Sequence, residues 1–187
     1  CEDGYVIFGE EIKVIDETTH LVGGDDEGSY TSSPVLDVNT DGVGYTAVTA
    51  YWSGADVGAG TYGNTHTAIF AKTTDHGVTW SGGTGDAPYY FIPDDVYAHM
   101  IESGAFPDYW EDPDACSSPP ESYTFTELFC AYDFHLRVDS NGNPHFILGI
   151  LPGGDGYVYP SIGSAFVHLW IDHNNLENPG DTQSETG

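Results

Sequence analysis

The stretch Thr73-Thr74-Asp75-His76-Gly77-Val78-Thr79-Trp80 has the residues of a tight turn between two strands. The apolar run 67–71 predicts the strand before the turn, and Thr79 and Trp80 resume a β pattern with a large ring to bury. The Asp75 carboxylate can accept hydrogen bonds from the backbone N–H groups that follow it. Gly77 can adopt the positive φ that closes the turn. The stretch therefore predicts a strand, a turn and a second strand.

This pattern, Ser/Thr-x-Asp-x-Gly-x-Thr-Trp, resembles the Asp box of sialidase-like β-propellers. In that family the box is a structural turn far from the active site, so the resemblance implies an architecture rather than a reaction. The fold it implies is all-β, with propeller blades that are four-stranded antiparallel sheets. The residues that match the box are Thr73, Asp75, Gly77, Thr79 and Trp80.

An internal repeat indicates that the chain contains more than one blade. The stretch 38–42 (Val-Asn-Thr-Asp-Gly) aligns with 138–142 (Val-Asp-Ser-Asn-Gly), and at the same offset 68–71 aligns with 168–171. Because several strands and turns agree at one offset, each copy is interpreted as one blade. In the second copy His173-Asn174-Asn175-Leu176 stands where the first has its Asp box, so the second box is degenerate.

Alternating apolar runs and Gly/Asn/Asp-rich turns place the strands of both copies. In the first copy strands A to D are predicted at Ser33–Val38, Val43–Tyr51, Thr67–Thr73 and Val78–Trp80. In the second copy three strands are predicted at Phe134–Val138, His145–Leu151 and Ala165–Asp172, and no fourth is recognisable. Outer strands of a preceding blade are predicted at Tyr5–Phe8 and Glu11–Ile15, and one or two helical turns within Val96–Ser103.

These elements divide the chain into four parts. Residues 1–32 are interpreted as outer strands of a preceding blade and a linker, 33–80 as the blade with the Asp box, 81–133 as an inserted loop region, and 134–187 as the second blade with a polar tail. About two blades and part of a third form an incomplete ring, since propellers use about four to eight. The chain is therefore either a segment of a longer protein or a subunit whose copies assemble.

The net charge of the chain disfavours two classes of binding partner. The chain carries 30 Asp and Glu against 3 Lys and Arg, a net charge of -27, which disfavours binding to nucleic acid or to an anionic membrane. No apolar run is long enough to span a membrane. The stretch Phe134–His145 is similar to hairpins of secreted bacterial propellers, which implies an extracellular or cell-surface location.

Cysteine placement agrees with that location. Cys116 and Cys130 lie in one insertion, and outside the cytosol they are expected to form a disulfide that closes a short loop. Cys1 opens the chain. It is interpreted either as a lipid-anchored cysteine or as a fragment boundary or a cysteine paired elsewhere.

The long connections are predicted to carry any binding site. They are Trp52–His66, Ser81–Asp133 and Pro152–Ser164, and the blade topology puts them at the face opposite the Asp box. Aromatic rings beside carboxylates can stack on a sugar or hold a cation. The alternative is that the aromatics form a small core with a solvated acidic rim. The candidate ligand-binding residues are Asp94, Asp95, Tyr109, Trp110, Glu111 and Asp112.

Calcium is the one cofactor that the sequence suggests. Asp37, Asn39 and Asp41, followed by Gly42, match the first half of a calcium loop, but Val48 stands where that template has Glu. The alternative is an ordinary hairpin turn. The eight histidines show no zinc-ligand spacing.

Sialidase activity is not expected. Sialidases hold the substrate carboxylate with three arginines, and Arg137 is the only arginine here. The predicted function is an extracellular structural or adhesive segment whose loops bind a glycan, a surface protein or calcium. Two alternatives remain: part of a glycan-processing enzyme with some catalytic residues elsewhere, which would need two suitably placed carboxylates, and a subunit of an extracellular layer or filament.

Overall fold

Antiparallel β-sheets and one short α-helix make up the computed structural model, which describes residues 10–15, 32–52, 65–82, 89–111, 122–154, 157–158 and 163–177. The expectation of a mostly β chain is confirmed. No helix in these ranges is long and apolar enough to cross a bilayer. The predicted strand Tyr5–Phe8 lies outside the described residues. Residues 11–15 are described, and they form no strand, so the prediction of one at Glu11–Ile15 is wrong.

The first sheet has four strands in the order β1-β2-β3-β4. Three of them match the predicted strands A to C within two residues. The predicted fourth strand, Val78–Trp80, is wrong: Val78 is 66% exposed, and the chain touches the sheet there only through the bridge between Ser81 and Lys72. The fourth strand comes instead from the insertion. The strands are β1 (Val35–Val38), β2 (Gly44–Trp52), β3 (Thr65–Thr73) and β4 (Tyr90–Phe91).

Burial explains why the insertion supplies that strand. Tyr90 pairs with Phe70 and Phe91 with Ile69, so consecutive rings of β4 enter opposite faces of the sheet. Both rings are at least nine-tenths buried. Val78 and Thr79 stay exposed instead, since Asp75 accepts hydrogen bonds from the Thr79 N–H and hydroxyl within the turn.

The second sheet is centred on β8, which pairs with β7 on one side and with β10 on the other. The strand β7 begins seven residues before its predicted start, because residues 127–130 of the predicted insertion also pair with β8. A register shift between Cys130 and Phe134 separates the two halves of the strand. A 3₁₀ helix, His173–Glu177, replaces the degenerate Asp box. The strands are β7 (Glu127–Val138), β8 (Pro144–Gly154), β9 (Tyr157–Val158) and β10 (Ala165–Trp170).

The two sheets pack face to face around one apolar core. Phe70 of the first sheet meets Phe146 of the second with ring centroids 5.2 Å apart, and Tyr45 meets the edge of Phe70 at 6.1 Å. Leu148 and Ile150 complete the second sheet's contribution and are fully buried. Such burial is the main stabilising term of the fold.

The other side of the first sheet is also closed. Val48, Ala50 and Ile69 are at most 6% exposed, and Ile15 packs against the same cluster together with Phe91. The first sheet is therefore buried on both faces at β2 and β3, while Leu36 of β1 remains 61% exposed on this side.

The insertion contributes a helix and a small hairpin. Helix α1 (Asp94–Glu102) begins after Pro93 and carries two carboxylates in its first turn, where the helix dipole favours negative charge. It buries Tyr97 and Met100, which lie three residues apart on one face. The helix begins two residues before the predicted turns. The hairpin follows it, with strands β5 (Tyr109–Glu111) and β6 (Ser122–Thr124).

Candidate functional site

The Asp box forms a turn that is closed by its own side chains. Asp75 Oδ1 accepts hydrogen bonds from the Thr79 N–H (2.8 Å) and the Thr73 hydroxyl (2.8 Å), and Oδ2 accepts one from the Thr79 hydroxyl (2.6 Å). These bonds, those from Thr79 first, lower the pKa of Asp75 to about 2. His76 and Gly77 both have positive φ, 61° and 86°. The Trp80 indole N–H donates to the Gly77 carbonyl at 3.1 Å.

The two aligned hairpin turns are closed by the same pair of hydrogen bonds, with an amide oxygen as acceptor in one turn and a carboxylate oxygen in the other. Asn39 Oδ1 accepts from the N–H groups of Asp41 and Val43, both at 3.0 Å. One repeat later, Asp139 Oδ1 accepts from the N–H groups of Asn141 and Asn143, both at 2.8 Å. The bond from the Asn143 N–H is the largest cause that lowers the pKa of Asp139 to about 2.

These three turns lie together at one end of the sheets, which we call the turn end. The register pairs Gly44 with Thr73, so the hairpin turn 39–42 and the Asp box leave the first sheet at the same end. The His76 N–H donates to the Gly42 carbonyl at 3.0 Å, and Asn39 Nδ2 donates to the Asp139 carbonyl at 2.9 Å. The box residues therefore stabilise the turn end.

The calcium prediction finds no support in these contacts. Asp37 Oδ2 accepts from the Val138 N–H at 2.8 Å, and its other oxygen lies 3.6 Å from the Arg137 guanidinium. Asn39 is used by its own turn, and Asp41 contributes its backbone N–H to that turn. Across the described part of the chain, no three His, Cys, Asp or Glu side chains converge to hold a metal ion. The residues at 37 and 39 connect the two sheets instead.

The opposite end of the sheets carries the β5–β6 hairpin. Phe106 before it and Phe125 after it are 3% and 1% exposed, and the Phe125 N–H donates to the Asp108 carbonyl at 2.9 Å. The Thr126 N–H donates to the Gly153 carbonyl at 2.9 Å, which ties the hairpin to the far end of β8. Two buried rings and a strand-like hydrogen bond thus hold the hairpin in place.

Three of the six predicted ligand-binding residues lie on this hairpin. Tyr109 and Trp110 are 50% and 38% exposed, and Glu111 is exposed beside them. Trp110 is paired across the strands with Tyr123. Because successive residues of a strand point to opposite faces, Tyr109 and Glu111 lie on one face of this fixed hairpin and Trp110 lies on the other, beside Tyr123.

The other predicted residues are placed differently. Asp94 and Asp95 form the first turn of α1, a separate element, and Asp112 lies outside the described residues. The aromatic run 89–91 is buried in the first sheet, as the alternative interpretation of an internal core requires. Among the aromatics of the predicted site, those on the hairpin are the ones that face solvent in the described residues.

The sequence interpretation missed a buried polar cluster between the sheets. His66 is 1% exposed, hydrogen-bonds through Nδ1 with the Cys130 carbonyl, and stacks on Phe129 with centroids 4.4 Å apart. Burial lowers the pKa of His66 to about 4. Nearby, the Thr67 hydroxyl lies 2.9 Å from the Tyr97 hydroxyl and donates to the Ile92 carbonyl at 2.6 Å. No local motif signals these contacts, because their members are far apart in the sequence, on β3, β7 and the segment around α1.

The predicted disulfide is absent from the structure. Cys130 is a free thiol with no exposed surface, and burial raises its pKa to about 12. Cys116 lies outside the described residues. Cys130 faces the core because it pairs with Ile150, an inward-facing position of β8.

Catalytic geometry is not evident in the described part of the molecule. The fully buried polar side chains there are His66 and three threonines, and no carboxylate is among them. Asp75 and Asp139 have lowered pKa values, which suits hydrogen-bond acceptors in turns rather than proton donors. Compared with protein-family models, curated proteins and solved structures, the chain matches none.

Proposed function

We propose that this chain is an extracellular scaffold of propeller-type sheets whose β5–β6 hairpin binds a neutral glycan. The observation that carries the proposal is the exposure of Tyr109 and Trp110 on a hairpin anchored by buried Phe106 and Phe125. A rigid exposed ring stacks on the apolar face of a sugar at little entropic cost, as Trp110 can on one face of the hairpin. On the other face Tyr109 can stack in the same way, and Glu111 beside it can accept hydrogen bonds from hydroxyl groups.

The repeat supports the propeller part of the proposal. Strands β1, β2 and β3 correspond in sequence to the end of β7, β8 and β10, and the middle strand is β2 in one copy and β8 in the other. Successive four-stranded sheets that pack face to face are the building plan of a propeller. The turns at one end then serve as the framework, and the insertions at the other end form the binding face.

The net charge of the chain indicates which class of glycan the hairpin would bind. A chain with a net charge of -27 repels uronate and sulfate groups, so a neutral oligosaccharide is the expected ligand. The test is a titration with cellohexaose, mannohexaose and chitohexaose, followed by the indole N–H signals in NMR spectra. We expect Trp110→Ala to weaken binding at least about tenfold and Tyr109→Ala to weaken it less.

The matched control is Phe166→Ala, which removes a ring that is 82% exposed on a different surface. It should leave affinity unchanged. Absence of binding by the wild type to all three oligosaccharides, or equal affinity of the Trp110→Ala protein, would contradict the proposal.

A further inference from the structure

Two histidines of the second sheet meet edge to edge on the face turned away from the core. His145 of β8 lies two residues before Ile147, the cross-strand partner of His168 of β10, so the two imidazoles are diagonal neighbours on one face. His145 Nδ1 lies 2.9 Å from His168 Nε2. The ring planes differ by 10°, and the ring centroids are 5.2 Å apart, close to the largest separation that this contact permits. The rings are therefore nearly coplanar, and the two nitrogens point at each other.

Asp139 determines which nitrogen of His145 is free to bind a ligand. The pKa of Asp139 is lowered to about 2, chiefly by the bond from the Asn143 N–H, so the carboxylate is ionised at neutral pH and only accepts hydrogen bonds. Its Oδ2 lies 3.4 Å from His145 Nε2, which places the imidazole proton on that nitrogen. His145 Nδ1 is then an acceptor, and the His168 Nε2–H donates to it. A carboxylate behind an imidazole is the arrangement that orients metal-binding histidines.

The spacing of the two facing nitrogens suits a shared metal ion. Zinc binds imidazole nitrogen at about 2.0–2.1 Å, so two bound nitrogens lie about 2.9 Å apart at a right angle and about 3.3 Å apart at the tetrahedral angle. The observed distance is 2.9 Å. To bind, His168 carries its proton on Nδ1 and turns its ring until the Nε2 lone pair points at the ion. His168 is exposed and can turn, whereas His145 is oriented by Asp139.

An ion reaches this pair directly from solvent. His168 is exposed, and 29% of the His145 side chain is exposed. The net charge of -27 raises the concentration of cations near the surface. Carboxylates, which supply that charge, prefer calcium and magnesium, whereas imidazole prefers zinc, copper and nickel. The histidine pair therefore favours a transition-metal ion over the cations that carboxylates attract.

We propose that His145 and His168 bind a divalent transition-metal ion of the zinc type, and that Asp139 positions His145 for this role. Within the described ranges no third His, Cys, Asp or Glu side chain joins the pair, so water completes the coordination. The site lies at the turn end, away from the β5–β6 hairpin, and does not depend on glycan binding. Local spacing does not reveal it, because the two histidines are 23 residues apart and meet only through the register of β8 and β10.

A zinc titration followed by the histidine imidazole signals in NMR spectra tests the site on the whole chain. The protein is first treated with iodoacetamide, which removes accessible thiols as competing ligands, and excess magnesium is added to occupy exposed carboxylates. We expect zinc to shift the signals of His145 and His168 together. His168→Ala should weaken zinc binding at His145 at least about tenfold. The matched control is His99→Ala, which removes an exposed histidine of α1 and should leave the affinity unchanged.

Asp139→Asn tests the positioning role. Asn39 closes the aligned turn of the first repeat with an amide oxygen, so the turn itself should tolerate the change. The new amide N–H would donate to His145 Nε2 and so place the imidazole proton on Nδ1, the nitrogen that the ion needs. We expect zinc affinity to fall by about 10- to 100-fold, and the nitrogen signals of His145 to report the changed tautomer.

Three results would overturn these assignments. Zinc that leaves the His145 and His168 signals in place, or that shifts the signals of all histidines equally, would contradict a site at this pair. Wild-type zinc affinity at His145 in the His168→Ala protein would contradict shared binding. Wild-type affinity in the Asp139→Asn protein would contradict the positioning role. Glycan titration of His168→Ala reports on the hairpin separately, so the two proposals fail independently.

Discussion

Single carboxylate or amide side chains close the three turns at the turn end. Asn39 and Asp139 each place one oxygen on two backbone N–H groups that follow in the chain, at 2.8 to 3.0 Å. Asp75 Oδ1 accepts from the Thr79 N–H that follows and from the Thr73 hydroxyl that precedes it, both at 2.8 Å. Asn39 and Asp139 show that charge is not required for this function, since the amide oxygen makes the same pair of bonds as the carboxylate. The residue type at these positions is therefore selected for its acceptor geometry.

His66 makes stability depend on pH. Its pKa is lowered to about 4 in the folded chain, against about 6.5 when unfolded, because burial disfavours the imidazolium. As pH falls below 6.5 the unfolded chain takes up a proton that the folded chain binds only near pH 4. The free energy of unfolding should therefore fall over this window by up to about 3 kcal/mol.

Chemical denaturation at pH 7, 5.5 and 4.5 measures this loss. His66→Asn retains a donor for the Cys130 carbonyl without an imidazole and should flatten the dependence. Phe166→Ala, at an exposed ring without a titrating group, serves as the control and should leave the slope unchanged. An NMR titration that gives His66 an ordinary pKa would contradict the assignment.

At the scale of elements, the insertion contributes strands to both large sheets. It supplies β4, which completes the first sheet, the helix α1, and the first half of β7. The hairpin β5–β6 rests on the far end of β8, where Gly154 lies directly against the Thr124 carbonyl. A side chain at position 154 would occupy the space of the hairpin backbone.

Gly154→Ala should therefore displace the hairpin while leaving the sheets intact. A Cβ at this position would overlap the Thr124 carbonyl oxygen, a backbone atom that cannot move without β6. We expect shifted NMR signals for Trp110 and at least about tenfold weaker glycan binding. Gly149→Ala, which meets the Ala131 side chain at 3.1 Å, is the control and should retain both. Unchanged Trp110 signals in the Gly154→Ala protein would show that the hairpin is not held there.

At the scale of the molecule, the two sheets are joined by polar contacts as well as by their core. The Tyr45 hydroxyl donates to the Gly142 carbonyl at 3.0 Å, and the Val138 N–H donates to Asp37 at 2.8 Å. Burial raises the pKa of Tyr45, so the phenol stays protonated and remains a donor. The repeats are therefore expected to unfold together.

Tyr45→Phe tests this coupling. It removes one hydrogen bond and leaves the Gly142 carbonyl without that donor, at a cost of about 1–3 kcal/mol in the free energy of unfolding. Tyr109→Phe removes a hydroxyl from a half-exposed ring and should cost almost nothing. Circular dichroism and tryptophan fluorescence should give the same transition midpoint in each protein. Separate transitions for the two signals would contradict a single cooperative unit.

The sequence predicted the elements whose signals are local. The turn at 73–80, the two hairpin turns and six of the seven sheet strands assigned in the two copies follow from turn chemistry and alternation within about ten residues, and the structure has them. The failed strand at Val78–Trp80 obeys the same local rules, and β4 replaces it because Tyr90 and Phe91 bury more apolar surface against Phe70 and Ile69. The local sequence pattern does not show which of two possible strands pairs with a given edge of the sheet.

What the sequence by itself determined is the β class, the repeat and the turns, because hydrogen bonds and side-chain alternation over a few residues specify them. Only the tertiary structure decided that Cys130 is a buried thiol, that His66 is neutral, that Asp37 joins two sheets, and which aromatics face solvent. The burial of a side chain and its contacts with residues on distant strands depend on how the sheets pack. Desolvation, which makes Cys130 a buried thiol and His66 neutral, is therefore set only when the chain has folded.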